Sequence, residues 1–385
     1  MAGLKVASFN VENLFSRPVA FNTADWHLGE PILAAHKEFN TLIGKKEYSP
    51  ADRERMRELL VEVDVYFVND LGAVRRRFTR QPRWAWLRKN RGDFDREPRD
   101  PAQSVEITAT GRDAWIGWLE LAKQTVNETG VRTTARVIGD IDADVLAVIE
   151  VEDRGALVRF NKDLLGSRYR HVMLLDGNDD RGIDVGIMTK DGFPIRSIRS
   201  NVDAEDERGR PVFSRDCPQY EIQTPSGETV HVLVNHFKSQ SGGGGAQRKR
   251  QADEVRKIVD QLVAEGQHVI VLGDLNEGQP AGNTPPVNLA KLFERRGPLV
   301  SCFDLDGFDV GDRLGTFDAC ALSERLDYLL LSRSLRPAFA GGEVFRKGLW
   351  GSRKTRPDKW ETYHEMQTSV HQASDHGAVV VHLNL

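Results

Sequence analysis

The sequence predicts an α/β fold. Three observations carry that prediction: apolar, β-branched runs that stop abruptly at polar residues, stretches of helical spacing between them, and a length of 385 residues. That length suits two average domains, and equally one large β-sandwich or α/β unit. With 39% hydrophobic and 29% charged residues the chain reads as an ordinary soluble globular protein with a substantial core. Lys and Arg number 53 against 57 Asp and Glu, a net charge of −4. No whole-molecule attraction to nucleic acid or to an anionic membrane follows, so any polyanion binding must be local.

The opening MAGLKVASFNVENLF lacks an apolar stretch of signal-peptide length, and no uncharged run approaches a membrane span. A cytoplasmic protein with no membrane partner is the expectation, and nothing points to an obligate protein partner. Cys217, Cys302 and Cys320 are odd in number and lack CxxC spacing, which argues for buried thiols rather than disulfides or zinc.

In chain order, Leu4 to Asn10 reads as a strand that delivers Asn10 and Glu12 on one face. Ser49, Pro50 and Asp52 form an N-cap, N1 and N3 set for a helix carrying Met56, Leu59, Leu60 and Val63. From Arg75 to Arg91 stand eight basic residues and no acid: Arg75, Arg76, Arg77, Arg80, Arg83, Arg88, Lys89 and Arg91, with Phe78, Trp84 and Trp86 interleaved. Cations for phosphates and flat rings for bases suit a single-stranded nucleic-acid surface. A strand pair with its Trp residues packed inward and its arginines solvated explains the same pattern. The following DFDREPRDP reads as a loop, and Asp113 to Glu128 as a helix with Trp115, Trp118, Leu119, Ala122 and Val126 on one face.

Val145 to Ile149 is a buried strand ending at Glu150, with Glu152 beyond. An acid delivered by a core strand is expensive to bury unpaired, so Glu150 implies a cation or a basic partner. Arg181 and Asp184 open a strand from Ile183 to Thr189; Arg181 suits a bidentate phosphate clamp or a pairing with Asp179 or Asp180. The stretch Arg208 to Arg215 reads as phosphate contacts or as a solvated loop. Strands at Tyr220 to Thr224 and Val230 to Asn235 form a hairpin about Pro225-Ser226-Gly227. The second of them delivers Asn235, His236 and Lys238, an amide, a titratable ring and a cation suited to a phosphoryl oxygen. Gly242 to Gly245 form no Walker loop, because no Gly-Lys-Ser/Thr follows, and read as a connector to a helix from Arg248 to Ala264.

The run VIVLGDLNE, Val269 to Glu277, is a buried strand stopping at a polar turn. Strand alternation aims Asp274 and Asn276 the same way, as oxygen ligands for a hard cation or as phosphate contacts. A strand that merely ends in turn residues is the plain alternative. Leu289 to Arg296 reads as a short helix. Asp327 heads the strand in SERLDYLLLS, and Asp375 with His376 head the strand in ASDHGAVVVHL.

In order, SFNVEN, VIEVED, RGIDVGI, NHFKS, VLGDLNE, RLDYLLLS and SDHGAVV resemble the endonuclease/exonuclease/phosphatase superfamily, the relatives of pancreatic-type deoxyribonuclease and of exonuclease III-like endonucleases. The resemblance covers the beginning of the chain and nearly everything from Ile138 onward. It implies one catalytic domain over residues 1–385, built as a four-layer αββα sandwich of two mostly antiparallel sheets flanked by helices. Residues 22–112 fall outside it and read as an insertion, a possible substrate-binding element carrying Arg75, Arg76, Arg77, Trp84 and Trp86.

By the same resemblance, Asn10, Glu12, Glu150 and Asp375 match the metal site. His236, Asp274, Asn276, Asp327 and His376 match the catalytic set, with Asp327 orienting His376; Arg181, Asp184 and Lys238 would bind substrate. All-oxygen ligands suit Mg²⁺ or Mn²⁺, with Ca²⁺ as a further hard ion. The activity implied is phosphodiester hydrolysis by activated water, with nucleic acid, DNA before RNA, as the partner. Hydrolysis of small-molecule or lipid phosphoesters is the alternative.

Overall fold

The computed structural model describes residues 3–21, 26–79, 82–126, 128–240, 243–280, 285–351 and 360–385. The chain divides into two compact units, one made of Met1–Phe15 with Asn127–Leu385, the other of Ser16–Val126.

The larger unit carries two mixed sheets. In the seven-stranded sheet the order is His171–Leu175, Asp184–Thr189, Val145–Val151, Gly3–Leu14, Ala378–Asn384, Phe339–Phe345 and Phe308–Asp309. The six-stranded sheet runs Ile195–Arg199, Gln219–Gln223, Thr229–His236, His268–Asp274, Asp327–Ser332 and Leu299–Ser301. Parallel pairs join Gly3–Leu14 to Val145–Val151, Thr229–His236 to His268–Asp274, and Phe308–Asp309 to Phe339–Phe345; the other neighbours are antiparallel.

Central strands such as VLAVIEV and HVIVLGD are apolar without alternation because both of their faces are covered. One core joins Val6, Ala147 and Ile149 of the first sheet to Val232, Ile270 and Leu329 of the second. A second core sets Phe9, Leu146 and Val148 against Ile138 and Ile141 of the helix Thr129–Ile141, and against Leu157 and Phe160 of the helix Arg154–Asp163. A third sets Leu233, Val271 and Leu330 against Ala252, Val255 and Val259 of the helix Gly245–Ala264. Each fully buried Leu, Ile or Val contributes roughly 1.5–3 kcal/mol. The strand positions expected from sequence are observed within a few residues, as is burial of all three cysteines. The short helix expected at Leu289 to Arg296 is a 3-10 turn over Val287–Phe293. No helix among the described residues is long and apolar enough to cross a membrane.

The smaller unit holds the helices Glu30–Leu42 and Pro50–Glu62 over a core of Phe39, Met56, Leu59, Phe94 and Trp115. The reciprocal Ser49/Asp52 capping box is formed as the sequence indicates. This unit is wider than the 22–112 read from sequence, because Ser16–Pro18 pairs with Lys123–Thr125 and closes it at both ends.

The helix expected over Asp113 to Glu128 is not formed. Ile116–Leu121 is a strand paired antiparallel with Ala85–Arg91, and its buried Gly117 and Leu119 alternate with exposed Ile116 and Trp118. WIGWLEL satisfies both periods, and the partner strand decides. Gly117 permits the approach: a Cβ there would lie 2.1 Å from the Arg88 carbonyl oxygen. The helix begins only at Thr129 and was not anticipated.

The basic stretch runs through two strand pairs, Tyr66–Val68 with Val74–Arg76 and Ala85–Arg91 with Ile116–Leu121, and five of its cations are ion-paired rather than simply solvated. Trp84 is buried. Arg75 pairs with Glu97 at 2.6 Å, Arg76 and Lys89 with Asp95 at 2.6 and 2.7 Å, Arg77 with Asp64 at 2.9 Å, and Arg88 with Glu120. DFDREPRDP supplies Asp95 and Glu97, so the acidic run serves as counterion to the basic one; it also holds the short strand Asp95–Arg96. Arg80 lies outside the described residues.

Candidate active site

Three adjacent strands of the six-stranded sheet deliver His236, Asp274 and Asp327 in one register row, with Asp274 in the middle. Gly273 makes that spacing possible: its φ is +131°, and a Cβ there would lie 1.9 Å from the Asn235 carbonyl oxygen. Glycine before the aspartate is thus a packing requirement of the strand pair. From the other sheet, Asn10 stands opposite Ile149, one residue short of Glu150. The Asn10 amide, as oriented, donates to Glu150 Oε1 and to Asp274 Oδ2, both at 3.2 Å, and its oxygen accepts from the Glu12 backbone N–H at 3.1 Å. Glu12, Asn13, Glu150 and Asn276 all have positive φ without being glycine, which concentrates backbone strain at this rim.

The two histidines sit in opposite electrostatic settings. His236 Nε2 lies 3.6 Å from Glu150 Oε1 and 3.7 Å from Asp274 Oδ2, while its buried Nδ1 has no hydrogen-bond partner. Burial, followed by the Arg215 and His376 charges, pushes its pKa well below the usual value and keeps the ring neutral. His376 Nδ1 shares a 2.7 Å hydrogen bond with Asp327 Oδ2. Burial alone would lower His376, but Asp327, Asp274 and Asp375 more than offset it and raise the ring to about 10. Thr316 Oγ1 donates to the same Asp327 oxygen at 2.6 Å, fixing the acid behind the ring. Burial pushes the Asp274 carboxyl up to about 7. Glu12 is likewise pushed up to about 7, by desolvation and by Asp375.

These groups open on a cavity of about 600 Å³ whose wall includes Glu12, Glu150, Arg181, His236, Asp274, Asn276, Asp375 and His376. Asn10 and Asp327 are fully buried behind the wall. Asp274 and Asn276 share the cavity through a turn rather than strand alternation, since the strand ends at Asp274 and Asn276 is left-handed.

Some expected residues are elsewhere. Asp184 is buried and accepts from the Gly177 backbone N–H at 2.8 Å, holding a turn instead of meeting substrate. Lys238 is not on the wall; its backbone N–H is tied to Gln251. Asn235 faces the sheet interior and donates to the Leu233 and Leu272 carbonyls, because alternation turns it opposite to His236. Arg75, Arg76, Arg77, Trp84 and Trp86 belong to the smaller unit.

Arg215, the last residue of the Arg208 to Arg215 stretch read as phosphate contacts or as a solvated loop, is a wall residue. It is buried and pairs with Asp179 Oδ2 at 3.0 Å, and the same acid holds Arg181 at 2.8 Å. The signal for it was present, in that Asp179 and Asp180 precede Arg181 in sequence and could serve two cations.

Donor atoms of Glu150, His236 and Asp274 lie within 4.8 Å of one another, as do those of Asp274, Asp327 and His376. The first set fits a divalent ion: two carboxylates crowded onto one amide, beside a neutral imidazole whose lone pair is available. Glu12 and Asp375, expected among the ligands, line the wall outside these two clusters.

A model of the Endonuclease/Exonuclease/phosphatase family matches residues 93–289, just over half of the chain. No curated protein matches it. Among solved structures, truncated Caenorhabditis elegans TDP2 is 18% identical, with a TM-score of 0.45 over 66% of this chain and 90% of that one. A Bacteroides thetaiotaomicron mannosyl-6-phosphatase is 16% identical, with a TM-score of 0.47 over 66% and 90% of the two chains. The human Nocturnin catalytic domain with bound sulfate is 15% identical, with a TM-score of 0.47 over 66% and 85%. The chain belongs to the endonuclease/exonuclease/phosphatase family and is a metal-dependent phosphoester hydrolase.

Proposed function

We propose that the chain is a nuclease, hydrolysing phosphodiester bonds of nucleic acid, DNA before RNA, with Mg²⁺ or Mn²⁺. The observation that carries this reading is the opposed pair of histidines on one cavity wall, one neutral beside two acids and one charged against a buried acid. Titratable groups driven apart in this way divide acid from base roles. Glu150, His236 and Asp274 would hold the ion, which supplies positive charge against the phosphoryl oxygens. His376, held at Nδ1 by Asp327, presents a proton at Nε2 to a phosphoryl or leaving oxygen. Asp274, as the carboxylate, would accept the proton of the attacking water, burial having raised its proton affinity. Asn276 orients Asp274 through its backbone N–H, 2.9 Å from Oδ1. Arg181 and Arg215, steadied by Asp179, bind the phosphate.

The same reading takes the two sheets and their flanking helices as a four-layer αββα sandwich, supported by one core between the sheets and one beneath the helices of each. It takes residues 1–385 as a single catalytic domain interrupted by the Ser16–Val126 unit. A cytoplasmic setting accords with three buried free thiols. A small or lipid phosphoester is the second reading, favoured by a wall on which Arg181 and Arg215 face Glu12, Glu150, Asp274, Glu324 and Asp375. The test is a panel of single- and double-stranded DNA, RNA, bis-p-nitrophenyl phosphate and inositol phosphates, with Mg²⁺ or with EDTA. EDTA-sensitive cleavage of DNA is expected. Turnover of inositol phosphates with no cleavage of any nucleic acid would replace the nuclease reading with the second one.

A further inference from the structure

The smaller unit has a pocket of its own, about 470 Å³, between the strand pair Tyr66–Val68/Val74–Arg76 and the strand Ala85–Arg91. That volume lies in the range of small-ligand sites, roughly 300–1,000 Å³. Its wall combines two aromatic residues, Phe78 and Trp86, with three cations, Arg76, Arg77 and Lys89, and two acids, Asp64 and Asp95. Most of the basic stretch is consumed by local ion pairs, so a broad polyanion track is not what remains. Among the described lining residues three cations face two acids; Arg76 and Lys89 share Asp95, and Arg77, paired with Asp64 at 2.9 Å, is the most exposed of the three. Phe78 is 81% exposed, so the face of its ring is open to a stacking partner. Trp86 is half-buried, with the Arg88 guanidinium 5.1 Å from its ring centroid.

A partly exposed guanidinium beside flat rings offers partners to one nucleotide unit, its phosphodiester charge and its planar base. The geometry points to this pocket as a binding site for an unpaired nucleotide of a single-stranded nucleic acid, its base against Phe78 and Trp86 and its phosphate against Arg77. A duplex offers no free base face, so the pocket discriminates strand state rather than sequence. The inference rests on nucleic acid being the substrate, while requiring nothing of the catalytic groups.

The experiment uses the full chain in EDTA, with a short fluorescein-labelled oligothymidylate and a mixed-sequence duplex of equal length as probes, read by anisotropy. Single strand should bind more tightly than duplex. Phe78→Ala, at an exposed position where folding is not at stake, and Trp86→Ala should each weaken single-strand binding roughly 5- to 100-fold, the range for losing one stacked base. Trp86→Phe should restore most of it, and the circular dichroism of both alanine variants should match that of the wild type. Wild-type affinity in both alanine variants, or an equal loss for duplex, would overturn the pocket assignment. A wild-type chain that binds single strand through this pocket yet fails to hydrolyse any phosphodiester would refute the catalytic reading and leave the pocket standing.

Discussion

Two buried acids, one in each unit, show how differently a fold can treat the same cost. Asp95 in the smaller unit accepts from Tyr66, from Arg76 Nε at 2.8 Å and from Lys89 at 2.7 Å. Burial alone would raise its carboxyl, but Lys89, Tyr66 and Arg76 more than compensate and hold it below the ordinary value. Asp274 in the larger unit has no Lys or Arg partner among the described residues. It shares an amide with Glu150, stands beside Asp327, and its carboxyl is pushed up. Around it, His236 Nδ1, Asn235 Oδ1 and Asp327 Oδ1 are buried without hydrogen bonds. A structural acid is surrounded by cations until its burial is repaid; Asp274 has only the charged His376 ring, Nε2 3.9 Å from Oδ2, and stays raised, an uncompensated negative charge that favours a metal ion.

The comparison breaks first at Asp95. Asp95→Asn removes the acceptor of the half-buried Arg76 and the more exposed Lys89, so the smaller unit should lose about 2–3 kcal/mol, read by denaturant unfolding. Because its folded pKa is depressed, Asp95 contributes stability that is fully present above the unfolded value near 3.8 and fades as pH falls through the lower folded value. The gap between wild type and variant should therefore close in acid; a gap that stayed constant to the acid limit would mean that charge is not what Asp95 supplies.

Next in size is His376→Ala, which should cut Mg²⁺-dependent phosphodiester hydrolysis by at least ~10²-fold, the lower range for a lost acid–base group. Undiminished turnover would remove His376 from the mechanism. The smallest effect has the opposite sign in stability. Asp274 has a folded pKa raised above its unfolded value near 3.8, so its ionisation costs stability as pH rises toward 7. Asp274→Asn should stabilise the metal-free protein above pH 7 by about 1 kcal/mol, read by denaturant unfolding in EDTA, while abolishing activity. A destabilised variant under those conditions would show that Asp274 is compensated after all, and the contrast with Asp95 would fall.

Much of the larger unit was legible because its signals are local. VIVLGDLNE, VLAVIEV and LDYLLLS are apolar runs too long for any exposed role, and each carries at one end the acid that the site uses. The Ser49/Asp52 capping box is local as well, being a three-residue reciprocal hydrogen bond. WIGWLEL misled because Trp and Leu at its spacing suit either period, and only the partner strand Ala85–Arg91 separates them. The helix Thr129–Ile141 escaped notice because TGVRTTARVIGDI places β-branched residues and glycines where strong helix formers would announce it; its buried face against the sheet supplies what propensity does not.

At the site, residue types were readable and their partners were not. Five cations of the basic stretch are paired with Asp64, Asp95, Glu97 and Glu120, pairings that the order of the residues does not reveal. Lys238 and Asp184 carried suitable chemistry, but one is off the cavity wall and the other is spent on a turn. Arg215 was hidden because its importance comes from Asp179, which lies 36 positions away in sequence and also holds Arg181. By itself the sequence determined the strands, their acid-bearing ends and the family, since each is encoded in a few consecutive side chains. Only the tertiary structure decided which charges are neutralised and which stay exposed to a ligand, because electrostatic compensation depends on distances between residues that the chain order does not bring together.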